Sequence, residues 1–184
     1  MKHTRHIILL SLAAAGCWYG MEFVHECGHM LAALVTSGRI EHFESPLVGF
    51  SRSDILPNRH PAVVAWAGPL LGSLIPLVVC AAVRLAKKRL ILLQVFAAFC
   101  LLANGAYLGV GSFDRVGDAG DILRRGCPIF LLWSFGAIAM AGGVWMLHVL
   151  IAEHRRRASR GAAAEGGTPN VRPKTSSVGF GSDR

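Results

Sequence analysis

"IILLSLAAAGCWYGMEFVHECGHMLAALV", residues 7–35, is the stretch whose reading decides the fold. A helix crossing hydrocarbon needs about 20 apolar residues at 1.5 Å rise each, so this run is too long by roughly two turns. The surplus carries His25, Glu26 and His29 among residues that are otherwise apolar. Each ionisable group placed in hydrocarbon costs on the order of 2.5–3.5 kcal/mol on insertion scales. Such groups persist where they face a bundle interior and find a partner.

Three further apolar runs follow, at residues 61–83, 90–110 and 128–152. Of the 184 residues 53% are hydrophobic and only 16% charged, against about 25% charged in a soluble domain. The chain therefore reads as an all-α integral membrane protein of about four transmembrane helices, with a short loop or hairpin after the first. Residues 1–153 form the expected membrane-embedded core. Residues 154–184, rich in Gly, Ser, Arg and Pro, read as a disordered basic tail. A multi-pass protein of the cell membrane is the expected setting. The opening "MKHTR" before an apolar run resembles a signal peptide, but the run continues past Cys17, so an uncleaved first span is expected.

The net charge of +8 does not point to nucleic acid. Lys and Arg lie between or beyond the apolar runs, where they set membrane orientation, and no basic stripe with interleaved aromatics appears. Their distribution, dominated by "RLAKKR" at 84–89, favours a cytoplasmic N-terminus. The five cysteines show no CxxC spacing and read as buried free thiols.

Spacings of three and four residues put Glu22, His25, Glu26 and His29 within about 100° of arc on one helix. His25 and His29, at i and i+4, can present ring nitrogens to one metal ion, with Glu26 placed to act on water. This is the His-Glu-x-x-His arrangement of zinc hydrolases. The plain alternative is a pair of histidines bonded within the bundle. A catalytic zinc takes a third protein ligand. The stretch "GSFDRVGDAGDILRRG", residues 111–126, offers Asp114, Asp118 and Asp121. Counting crossings, the ends of the first and third spans lie on the same membrane face, at the depth of the histidines. Aspartates left unused would cap helices or pair with Arg115, Arg124 and Arg125.

With "HECGHMLAAL" in the first span, "AGPLLG" in the second and "DAGDI" after the third, the chain resembles the site-2 protease family of intramembrane zinc metalloproteases, as a small, minimal-core member. The resemblance covers roughly residues 18–125 and implies zinc held by His25, His29 and Asp118, with Glu26 catalytic. Asp121 is the alternative third ligand and Asp114 the next. Two departures stand out: the family's Asn-x-x-Pro element is not intact, Asn104 being its remnant, and alanine follows Asp118 where the family has glycine. In relatives the region after the first span, here 38–59, forms a hairpin near the active site. The resemblance then implies that an unwound substrate pairs with it as an added strand. Several relatives hold their zinc towards the cytoplasm, whereas the charge distribution puts this motif at the outer face.

The expected activity is hydrolysis of a peptide bond in or near a transmembrane segment of a membrane protein, within the lipid bilayer. The alternative is a catalytically inactive metal-binding scaffold or regulator. A metal transporter would need polar residues on several spans, and the second and fourth offer almost none. Glu22 reads as a partner one turn before Glu26 or as a solvated cavity residue. Cys27 reads as packing, His148 as a lone membrane histidine, and His42 and His60 as solvated loop residues. Gly38 is the expected end of the first helix.

Overall fold

A computed structural model describes residues 2–44, 52–55, 58–88 and 90–165. Among these described residues the fold is all-α apart from one two-stranded hairpin. In chain order the elements are α1 (Lys2–Val35), β1 (Ile40–Glu44), β2 (Arg52–Ile55), α2 (Pro61–Leu85), α3 (Ile91–Asp114), α4 (Gly117–Arg124) and α5 (Ile129–Glu165). Within these, His3–Val35, Pro61–Leu85, Ile91–Asp114 and Ile129–Gly161 are long and apolar enough to cross a membrane. The protein is a multi-pass membrane protein. Half of the most apolar window of α2 is buried, but only 11% of that of α1, so α2 is an inner helix and α1 turns most of its apolar surface outwards.

The chain forms two compact units, Met1–Leu150 and Ile151–Arg184. In the first, the helix ends follow from local hydrogen bonding. α1 stops because Ser37 takes a left-handed φ of 57°. Gly38 N–H then bonds the Ala33 carbonyl at 2.7 Å and Ser37 N–H that of Leu34 at 3.4 Å, the two bonds of a Schellman end. The left-handed residue is thus Ser37, one place before the expected Gly38. Pro61 opens α2 at its first turn, where a missing N–H costs nothing.

β1 and β2 pair antiparallel, with Ile40 opposite Ile55 and an irregularity before His42. Ile40 and Ile55 pack on a cluster of Ala32, Ala33, Val64 and Ala67, which fastens the hairpin to α1 and α2. Residues 45–51 of the connecting segment lie outside the described residues. A second cluster joins Ala65 of α2, Leu108 of α3, Ala119 and Ile122 of α4 and Leu132 of α5. α4 has eight residues, too few to stand as an isolated helix in water. Its hold on the protein comes from burying Ala119 and Ile122 completely.

In the second unit, residues 154–165, expected to belong to the tail, are helical. α5 continues to Glu165. Arginine and alanine, which dominate "HRRRASRGAAA", are among the best helix formers, so the helix outlasts its apolar stretch. Residues 166–184 lie outside the described residues.

Ile122 has no exposed surface, and truncating it removes the largest apolar anchor of α4. Ile122→Ala is expected to destabilise the protein by about 2–5 kcal/mol, read as a lowered melting temperature of the detergent-purified protein.

Candidate metal centre

Four of the residues singled out on α1 are buried in the fold: Glu22, His25, Glu26 and His29. Three side chains meet at one point. His25 Nε2 lies 3.0 Å from His29 Nε2 and 2.9 Å from Asp118 Oδ2. His29 Nε2 lies 3.3 Å from the same carboxylate oxygen. His25 and Asp118 are 93 positions apart in the chain.

The other ring nitrogens determine what these atoms can do. His29 Nδ1 lies 2.8 Å from the Val64 carbonyl oxygen, which can only accept, so Nδ1 carries the proton. His25 Nδ1 lies 2.7 Å from Asn104 Oδ1. The Asn104 amide nitrogen donates to the Cys100 carbonyl at 2.9 Å, which fixes its oxygen towards His25. With Nδ1 protonated, each ring in its neutral form turns an Nε2 lone pair to the meeting point, and Asp118 adds a carboxylate oxygen. Three acceptors about 3 Å apart repel unless a cation lies among them.

A proton on one ring or a divalent ion can supply that charge. Burial alone would raise the Asp118 carboxyl pKa, but where the rings carry the proton, hydrogen bonding to His25 and His29 outweighs it and holds the carboxyl down to about 2. The separations of 2.9–3.3 Å come close to the roughly 3.3 Å edge of a tetrahedron with zinc–ligand bonds of 2.0–2.1 Å. Donor type, tautomer and spacing all fit a zinc ion with one side left open.

The second helix makes room for this. A Cβ on Gly68 would collide with His29 Nε2 and stand 2.8 Å from His25 Nε2; one on Gly72 would lie 3.1 Å from the Asn104 amide. "AGPLLG" is therefore the bare strip of α2 against which the two rings and the amide lie.

The remaining candidates fall elsewhere. Asp121 is half-exposed and paired with Arg124. Asp114 ends α3 and is exposed. His148 is exposed on α5, stacked on Trp145 at 6.2 Å between ring centres. His60 is exposed just before α2. Cys27 is half-buried with a free thiol. Sequence reasoning weighed Asn104 only as a motif remnant and passed over Tyr107. The signal for Asn104 was available, because a buried amide in a membrane span needs a partner.

A cavity of about 930 Å³ opens on the centre, lined by Glu22 and Glu26 of α1, Ile55 of β2, Asn58, Tyr107 of α3 and Arg125 after α4, among others. Residues 19–107 match the Peptidase M50B-like family model. That segment is similar to a site-2 protease family domain. No curated protein and no solved structure matches the chain significantly. The matched segment takes in His25, Glu26, His29, Gly68 and Asn104 and ends before Asp118. Asp118 joins the two histidines by geometry alone.

Gly68→Val puts a branched side chain where the two Nε2 atoms lie. The variant is expected to lose bound metal, measured by elemental analysis of purified protein, while circular dichroism shows the helices retained.

Proposed function

We propose that the protein is an intramembrane zinc metallopeptidase, hydrolysing a peptide bond in or near a transmembrane segment of a membrane protein substrate. The observation that carries this reading is the meeting of His25 Nε2, His29 Nε2 and Asp118 Oδ2 at a cavity that also holds Glu26. These three residues would hold the zinc. When bound, zinc lowers the pKa of water towards neutrality and polarises a carbonyl.

Each protein group then has a task. Asn104 and the Val64 carbonyl fix both rings with Nε2 inwards, and such outer partners also raise ligand basicity. Glu26 is 4% exposed, lies next to His25 in sequence and lines the cavity, as a general base must. It takes a proton from the attacking water and returns it to the leaving amine. The cavity admits water to a depth at which hydrocarbon would otherwise exclude it.

A substrate helix must unwind before its backbone can be attacked, because its carbonyls are tied up in helical hydrogen bonds. Ile55 of β2 lines the same cavity. That position supports an unwound segment lying along the hairpin as an added strand. The substrate belongs to the bilayer in which the enzyme sits, which for this chain we take to be the cell membrane.

Glu26→Gln is expected to lower cleavage of a reconstituted single-span substrate by about 10²–10⁴-fold with zinc content unchanged. His25→Ala is expected to lose both zinc and cleavage. A Glu26→Gln variant that cleaves at the wild-type rate removes the base assignment, and a wild type that binds zinc without cleaving any membrane substrate leaves a metal-binding scaffold.

A further inference from the structure

We infer that Tyr107 is a positioning residue of the metal centre: its hydroxyl caps α4 from the neighbouring span and so holds Asp118 against His25 and His29. The inference rests on the metal-centre reading above. It starts from an orphaned helix end. The first N–H groups of any helix lack partners within it, and a cap side chain ordinarily accepts from the second or third helical residue. The cap position of α4 is Val116, which has no side-chain acceptor and makes no capping hydrogen bond. Asp118, the second helical residue, cannot serve its own helix, because its carboxylate is drawn to the two rings.

Tyr107 fills the gap from α3. Asp118 N–H donates to the Tyr107 hydroxyl oxygen at 3.2 Å. The backbone between them is shaped for this bond. Gly117 has a φ of +53°, and a Cβ there would collide with the hydroxyl. A side chain at 117 would thus be strained by its backbone and would also push Tyr107 away. The same tyrosine ring lies edge-on to His25, with 5.7 Å between ring centres and 78° between planes. One side chain therefore touches a donor residue of α1 through its ring and the donor of α4 through its hydroxyl.

Tyr107→Phe keeps the ring and removes the acceptor. On the full chain in detergent, isothermal titration with zinc is expected to show affinity weakened by about 10–100-fold, the usual cost of losing an outer partner, with the metal-free melting temperature unchanged. Gly117→Ala, which displaces the hydroxyl without changing residue 107 itself, is expected to weaken binding to a similar degree. Placed in an Asp118→Ala background, Tyr107→Phe should cause no further loss, because its effect runs through Asp118. Wild-type affinity in Tyr107→Phe, or an equal further loss in the Asp118→Ala background, overturns the inference and leaves the metal centre standing. Zinc binding that is absent in wild type, or unaffected by Asp118→Ala, overturns the metal centre and this inference together.

Discussion

Two hydrogen bonds on the far side of the imidazoles govern this structure. The Val64 carbonyl takes the Nδ1 proton of His29, and the Asn104 amide oxygen takes that of His25. With those protons spoken for, both Nε2 atoms become electron-pair donors facing the Asp118 carboxylate. Without these acceptors either ring could flip its tautomer, and the triangle of donors would be merely two histidines near an acid. The charge that three such groups demand is what makes the centre suited to a cation. Glu26, buried beside them, lines the cavity that opens on the centre.

The arrangement stands on a helix pair that meets with little between. α2 presents Gly68 and Gly72 where α1 and α3 bring their polar groups, so backbone and ring lie in direct contact. Small residues at helix crossings are the usual means by which membrane spans approach closely, since lipid supplies no hydrophobic drive between them. Here the closeness serves chemistry as well as packing. It shuts hydrocarbon out of one side of the centre and leaves the cavity on the other.

Much of this was legible in the residues. Four apolar runs foretold four spans, because length and hydropathy alone decide what can cross a bilayer. "HECGH" named its own helix face, since i and i+4 are fixed by helical geometry. Asp118, Asp121 and Asp114 could not be ranked by that route. Which of them reaches the histidines depends on the turn at residues 115–117 and on Ile122 anchoring α4, both tertiary facts. Asn104 was visible as an oddity but its service to His25 was not, because the two are 79 positions apart. Tyr107 gave no sign at all, an aromatic in a span being ordinarily unremarked. The reach of α5 past residue 154 was harder to see, because it rests on the helix propensity of the Arg and Ala of 155–164 and not on an apolar run.

The donors hang from spans that are anchored separately in the lipid: two on α1, the third just beyond the end of α3. Their meeting is therefore a vernier, reading the vertical offset of one span against the other. A slip of a single helical turn, about 5.4 Å, would carry Asp118 out of reach of both rings. Whatever stretches, thins or tilts the bilayer around these two spans acts directly on whether the centre is assembled.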